Sequence, residues 1–268
     1  MIYNAKGRKI DIEDFTINYI EFGKGKKNLI IIPGGGDGLK TVKGMTIPLT
    51  LMYKMFAKEY KVYIPSRRNE IKEGTTIKDM AEEIAKLMDK LNIKDADVIG
   101  VSQGGMIAQE LTINYPEKVK KLILIVTAPK TNPIIQESLN GWIKSAKKNE
   151  YKSIFIDTAE RSYTEKKLKS YRKMYNIMSK LTKPKSLKRF IIQMEAILKH
   201  DTYDRLDRIK NKTLIIGAEK DRIVGVEASK QLHEKITNSE LYIYADYSHA
   251  VYEEAKGFNN KIMEFLNK

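Results

Sequence analysis

Short apolar runs alternate with segments of helical periodicity along most of the chain. The runs are almost entirely apolar, as parallel strands buried on both faces of a sheet are. They cover residues 28–33, 61–65, 97–100, 121–127 and 213–217. The segments with apolar residues three and four positions apart predict helices. They cover residues 47–58, 76–91, 105–115, 226–235 and 251–266. This alternation predicts an α/β fold with a mostly parallel central sheet flanked by helices.

Residues 16–22 depart from this pattern because apolar and polar positions alternate there. We expect them to form a strand that pairs antiparallel with the preceding segment at the edge of the sheet.

A long helical interruption follows the sixth predicted strand. Apolar residues recur at three- and four-residue spacing through residues 168–181 and 187–198, with Lys, Arg and Glu between them. This position predicts a helical cap over the active site, inserted at residues 131–206. Residues 1–130 and 207–268 would then form the α/β core, and some methionines and tyrosines of the cap would roof an apolar pocket.

Gly100-Val101-Ser102-Gln103-Gly104 lies between the strand at 97–100 and the helix that follows. A G-x-S-x-G turn in this strand–helix context is a nucleophile elbow. Its glycines allow a strained reversal that a Cβ atom would obstruct. The turn therefore predicts that the Ser102 hydroxyl is raised at the carboxyl edge of the sheet.

A serine nucleophile needs a base and an acid that orients the base. The chain has three His, and we expect His200 and His233, both in helical segments, to be solvated surface residues. His249 instead follows the last apolar alternation, at a strand's carboxyl end, where catalytic groups of open α/β sheets collect. Asp221 follows the strand at 213–217, so the predicted triad is Ser102, Asp221 and His249.

The chain resembles α/β-hydrolase-fold proteins of the bacterial esterase-like type over nearly its whole length. Residues 100–109 are similar to the elbow and following helix of that family, and residues 115–124 to the stretch that leads into its sixth strand. Residues 221–224 and 248–251 resemble its acid and histidine loops. The resemblance implies a serine nucleophile, a histidine base, an orienting aspartate and no cofactor. Ser102 disfavours the members that use an aspartate nucleophile.

The oxyanion hole of such a site needs two backbone N–H donors, one from the residue after the nucleophile and one from the loop after the third strand. The first is Gln103. The family usually carries His-Gly in the loop, whereas this chain reads Pro33-Gly-Gly-Gly-Asp37. Pro33 has no N–H, so Gly35 is predicted to be the second donor.

Residues 34–41 also come within one position of a nucleotide-binding loop, G-x-x-x-x-G-K-[ST]. Leu39 replaces the glycine required before Lys40, so the turn that would cradle a phosphate is lost. No strand ends in the apolar run and Asp that would hold magnesium. We therefore do not expect nucleotide binding.

Composition limits the partners. The chain has 268 residues, no Cys and a formal net charge of +15. Because there is no Cys, we expect no disulfide and no thiolate metal site, and the predicted site holds no metal. The first nine residues lack the apolar run of a signal peptide and no run reaches membrane-spanning length, so cytoplasmic location without membrane insertion is expected.

The lysines are spread along the chain, which disfavours specific nucleic-acid binding. We expect Arg67 and Arg68 to be a solvated loop pair, with contact to an anionic substrate as the alternative.

The sequence thus predicts a serine hydrolase that cleaves an ester or thioester of a small-to-medium apolar acyl group. Its partner would be a small-molecule acyl substrate, and the oligomeric state stays open. The same triad also serves acyl transfer, hydrolysis of C–C bonds, lyase chemistry or perhydrolysis. A further alternative is a non-catalytic ligand-binding protein with this fold.

Overall fold

The computed structural model describes residues 2–268, so Met1, the first residue of the predicted core segment, lies outside the described residues. The strands are β1 (Lys6–Ile12), β2 (Phe15–Phe22), β3 (Lys27–Ile32), β4 (Tyr60–Pro65), β5 (Ala96–Val101), β6 (Val119–Ile125), β7 (Lys212–Ala218) and β8 (Ser239–Tyr244). Within the described residues they form one sheet in the order β1-β2-β4-β3-β5-β6-β7-β8. β2 pairs antiparallel with β1 and with β4, and every pair from β4 to β8 is parallel. The predicted parallel sheet with an antiparallel edge is confirmed.

The α-helices mostly follow the predicted alternation. The first five are α1 (Thr46–Met52), α2 (Ile77–Lys90), α3 (Gln103–Asn114), α4 (Pro133–Lys147) and α5 (Tyr151–Ser162). They are followed by α6 (Glu165–Tyr171), α7 (Tyr175–Leu181), α8 (Lys188–Leu198), α9 (Val226–Lys235), α10 (Val251–Glu254) and α11 (Phe258–Asn267).

Two predicted helices are interrupted in the structure. The segment 251–266 is divided into α10 and α11 at Gly257, whose φ of +70° is a left-handed conformation that ends a regular helix. The segment 47–58 is α1 followed by a 3₁₀ helix at Lys54–Lys58. Apolar spacing does not report such breaks, because both pieces keep their apolar side toward the same core.

The sheet is covered on both faces, which explains its nearly continuous apolar strands. Ile30 of β3 packs into a cluster with side chains of α2, α3 and α9. Its neighbour Ile31 packs into a second cluster with side chains of α11. Successive residues of a strand point to opposite faces, so these clusters are the two halves of the core.

The chain between β6 and β7 contains α4 to α8. Its two ends meet at the sheet, because Lys130 and Asp201 form an antiparallel bridge. The Thr202 N–H also donates to the Pro129 carbonyl over 2.8 Å. These contacts join the two ends of the helical segment where it leaves and re-enters the core.

No helix within residues 2–268 has the length and apolar character that crossing a membrane requires.

Candidate active site

The turn at Ser102 connects β5 to α3 with a strained backbone. Ser102 has φ 52° and ψ −118°, a conformation that is uncommon for a residue with a side chain. A Cβ on Gly104 would lie 2.0 Å from the Ile32 carbonyl oxygen, and a Cβ on Gly100 would lie 2.5 Å from the Gly104 carbonyl oxygen. The two glycines therefore allow α3 to start against β3, as the geometry of a nucleophile elbow requires.

The structure brings the three predicted triad residues into one hydrogen-bonded line. His249 Nε2 lies 3.0 Å from Ser102 Oγ, and His249 Nδ1 lies 2.8 Å from Asp221 Oδ2. A carboxylate beside Nδ1 favours the tautomer in which Nδ1–H donates to it, which leaves Nε2 to accept the serine proton. This arrangement can transfer a proton from Ser102 to His249 during nucleophilic attack.

Asp221 is held as a charged acceptor. Burial by itself would raise the pKa of this carboxyl, but the His249 imidazole and the N–H groups of Ile223 and Val224 lower the pKa below its ordinary value. Those two N–H groups donate to Oδ1 over 2.8 and 3.0 Å. Since Oδ1 is occupied in this way, Oδ2 is directed at His249.

Both predicted oxyanion donors begin a helix. Gln103 is the first residue of α3, and Gly35 is the first residue of a 3₁₀ helix at Gly35–Gly38. The first N–H groups of a helix have no acceptor inside that helix. A Cβ on the adjacent Gly34 would lie 3.4 Å from Ser102 Cβ, so the glycine loop passes directly beside the serine. The two segments that contain the predicted donors therefore both lie next to Ser102, and the oxyanion role of Gln103 and Gly35 stays a prediction.

A pocket of about 320 Å³ opens beside Ser102 and His249. Its walls come from the glycine loop, the helices between β6 and β7, and the start of α10. The segment between β6 and β7 contributes the aromatic and large apolar side chains of Ile135, Leu139, Trp142, Phe155, Tyr163, Tyr171, Met178, Phe190, Met194 and Ile197. The pocket therefore suits an apolar group attached to a carbonyl at Ser102.

Glu253 also lines this pocket, and its Oε2 accepts a hydrogen bond from the Tyr163 hydroxyl over 2.7 Å. Sequence reasoning did not single out this residue, because a glutamate early in a surface helix is common and carries no functional signal. The lining residues include no Lys or Arg. Glu253 therefore gives the pocket its only carboxylate among the lining residues.

Two expectations from the sequence are wrong. Arg67 is not solvated but 1% exposed, because the loop at residues 33–38 and α8 cover it. Burial lowers its pKa to about 10. Its Nη2 donates to the Pro33 carbonyl and to Gln103 Oε1 over 2.6 and 2.8 Å, so Arg67 contacts protein rather than solvent. Arg68 is partly buried and pairs with the Glu83 carboxylate.

The second wrong expectation concerns His200, which is buried rather than solvated. It lies where the chain returns from α8 to the core, beside Thr202. Burial lowers its pKa to about 4. His233 is exposed, as expected.

Residues 2–268 contain no group of three or more His, Asp or Glu side chains placed to hold a metal ion. Lys40 is exposed, and a loop that lies against Ser102 precedes it.

Comparison with known proteins gives similarity over nearly the whole chain. A family model described as alpha/beta hydrolase fold matches residues 27–256. A curated relative, the 2-hydroxy-6-oxo-6-phenylhexa-2,4-dienoate hydrolase of Comamonas testosteroni, is 26% identical over 277 residues, which cover 98% of this chain and 96% of the relative.

Two solved structures share the fold. MGS-M2, an alpha/beta hydrolase enzyme from a Medee basin deep-sea metagenome library, has a TM-score of 0.86 at 23% identity, over 97% of this chain and 98% of that one. The enol-lactonase from Burkholderia xenovorans LB400 has a TM-score of 0.82 at 17% identity, over 97% of this chain and all (100%) of that one. The fold around the candidate site is thus shared with these enzymes.

Proposed function

The chain belongs to the α/β hydrolase fold family, as its sequence motifs predict, and we propose that it is a serine hydrolase for an ester or thioester of a small-to-medium apolar acyl group. The observation that carries this proposal is the pocket wall beside Ser102, which is largely apolar and includes no Lys or Arg. A neutral acyl chain gains about 25 cal/mol per Å² of apolar surface buried there. A carboxylate would lose its hydration without gaining a cationic partner.

Acylation uses the line of hydrogen bonds from Ser102 to Asp221. Ser102 Oγ forms a bond to the substrate carbonyl carbon while its proton moves to His249 Nε2. The carbonyl oxygen becomes an oxyanion, which the N–H groups of Gln103 and Gly35 stabilise; one such donor is typically worth about 2.7–4 kcal/mol of the barrier. The bond to the leaving oxygen or sulfur then breaks, and Nε2 returns the proton to that atom.

Deacylation repeats the same steps with water. His249 Nε2 takes a proton from a water molecule as the water oxygen attacks the acyl carbon. The tetrahedral intermediate collapses, the acid is released, and the proton returns to Ser102 Oγ. Asp221 stabilises the imidazolium that exists between the two proton transfers.

Hydrolysis of a C–C bond is the second candidate. The curated relative from Comamonas testosteroni is named as the hydrolase of a compound that has a ketone and a carboxylate but no ester, so its hydrolysis must break a C–C bond. A dienoate is a carboxylate. The pocket of this chain presents Glu253 and no Lys or Arg among its lining residues, so its charge disfavours an anionic substrate. The neutral ester is therefore the better fit.

Three substrates distinguish these candidates. We would compare kcat/KM for 4-nitrophenyl hexanoate, for the mono-4-nitrophenyl ester of adipic acid and for 2-hydroxy-6-oxo-6-phenylhexa-2,4-dienoate. The proposal predicts that the hexanoate exceeds the adipate ester by at least about tenfold, since an unpaired carboxylate loses hydration in the pocket. A dienoate that is cleaved faster than the hexanoate would overturn the ester proposal in favour of C–C hydrolysis.

A further inference from the structure

Arg189 of α8 attaches that helix to the glycine loop and to the segment after β4. Its Nη2 lies 2.5 Å from Asp37 Oδ2, and its Nε donates to the Asp37 carbonyl over 3.1 Å. The same guanidinium donates to the carbonyls of Arg67, Arg68 and Asn69. One side chain of α8 thus binds two loops of the core.

Asp37 is the centre of these contacts on the core side. Its side chain is 1% exposed, and it lies two residues after Gly35 in the same 3₁₀ helix. Besides Arg189, Oδ2 is within 3.3 Å of both the Arg67 backbone nitrogen and Gln193 Nε2. These donors, one of them charged, restrict the orientation of the buried carboxylate.

The other predicted oxyanion donor, Gln103, is connected to the same helix. The Gln103 side chain accepts a hydrogen bond from Arg67 Nη2 over 2.8 Å and donates to the Gln193 carbonyl over 3.1 Å. The glycine loop also packs flat on α8, because a Cβ on Gly35 would lie 2.8 Å from Met194 Cε. Both donor segments therefore rest on α8.

We propose that Arg189 is a positioning residue of the oxyanion hole. By holding Asp37, it fixes the turn that presents the Gly35 N–H to the reacting carbonyl oxygen. This inference rests on the proposed function, because an oxyanion forms at this place only if Ser102 attacks a carbonyl. In this proposal α8 has two roles: it lines the pocket, and it holds the two segments that carry the oxyanion donors.

Kinetics of Arg189→Met test the inference, with Lys188→Met as the matched control. Lys188 is on the same helix and also pairs with a core carboxylate, Glu73, but that pair is exposed. We expect Arg189→Met to lower kcat for the hexanoate ester about 100-fold, the typical cost of a misplacement of ~1 Å, and to change KM less than about threefold. Lys188→Met should retain the wild-type kcat.

Inhibitor binding separates a displaced oxyanion hole from a damaged pocket. Ser102 Oγ adds to the carbonyl carbon of a trifluoromethyl ketone, and the ketone oxygen becomes an oxyanion. The matching methyl ketone occupies the pocket without forming this covalent bond. Arg189→Met should weaken binding of the trifluoromethyl ketone by the same factor by which it lowers kcat. Binding of the methyl ketone should be unchanged. Equal weakening of both inhibitors, or an unchanged kcat, would overturn the inference.

Arg189→Lys provides a second variant if Arg189→Met does not fold. Lysine keeps the charge beside Asp37 but lacks the planar group that reaches several carbonyls. We expect a folded protein with kcat at least about tenfold below wild type, because the loop is held at fewer points. A wild-type kcat in this variant would contradict the inference. A wild-type protein that hydrolyses no ester and does not react with fluorophosphonate would instead overturn the proposed function.

Discussion

His249 Nε2 lies 3.0 Å from Ser102 Oγ, although 147 positions separate the two residues in the chain. The contact forms because β5 and β8 end at the same edge of the sheet, and each residue occupies the loop that follows its strand. Asp221, after β7, completes the line from the third loop at that edge. The parallel sheet therefore assembles the site.

The acid of the triad is tested by the pair Asp221→Asn and Glu219→Gln. Asp221 is buried against His249, whereas Glu219 is exposed in the same loop. An amide at position 221 favours the wrong imidazole tautomer, so we expect kcat to fall by a factor of ~10⁴ with the fold retained. Glu219→Gln should leave kcat within a few-fold. Reversed effects would assign the acid to Glu219, and no effect of either variant would indicate a Ser–His dyad.

The close approach of α3 to β3 is tested by Gly104→Ala. The new methyl group would lie 2.0 Å from the Ile32 carbonyl oxygen, so the elbow must shift. We expect a loss of about 1–3 kcal/mol of unfolding free energy or more, together with most of the activity. The control is Gly141→Ala in α4, where a Cβ meets nothing within 4 Å. There the exchange should add about 0.5–1 kcal/mol. Urea unfolding of both variants measures the difference.

The buried His200 predicts a specific pH dependence of stability. Its pKa falls from 6.5 to about 4 on burial. Between these values the unfolded chain binds a proton that the folded chain does not, so stability decreases as the pH falls from about 6.5 to about 4. Above 6.5 both states are neutral at this site, and below 4 both are protonated. The loss from this residue amounts to about 3 kcal/mol.

Urea unfolding of His200→Gln at pH 4 to 7 measures that loss. The variant lacks the titrating group, so its unfolding free energy should decrease less than that of the wild type across this range. His233→Gln, which changes an exposed histidine, should follow the wild type. If His200→Gln and wild type decrease in parallel, the site is not neutral and buried as the structure describes it.

Pocket charge is tested by Glu253→Lys. A cation in place of the carboxylate should raise kcat/KM for the adipate monoester relative to the hexanoate by about tenfold, equivalent to ~1.4 kcal/mol. Glu219→Lys makes the same change of charge outside the pocket lining and serves as the control. Equal shifts in both variants would attribute the effect to net charge rather than to the pocket.

Much of this arrangement is predictable because the signals are local. The elbow is five consecutive residues, and Asp221 and His249 each follow an apolar run that predicts a strand. Chain order and the parallel sheet then place their loops at one edge. The choice of Gly35 as the second oxyanion donor rests on its position after the third strand and on the missing N–H of Pro33, and it stays a prediction.

The surroundings of the oxyanion loop are not predictable in this way. Asp37 and Arg189 are 152 positions apart, and neither belongs to a motif. Arg67 looks like a solvated charge because two adjacent arginines in a loop usually are. Its burial depends on α8, whose placement follows from packing of the whole helical segment and not from the residues next to Arg67.

The nucleophile is the central claim, and intact-protein mass after reaction with a fluorophosphonate tests it most directly. Wild-type protein should gain one phosphonyl group, located at Ser102 by peptide mapping, and lose ester hydrolysis in proportion. Ser102→Ala should gain none and hydrolyse no ester. A wild-type protein that stays unmodified, or a Ser102→Ala variant that is still labelled, would contradict the account.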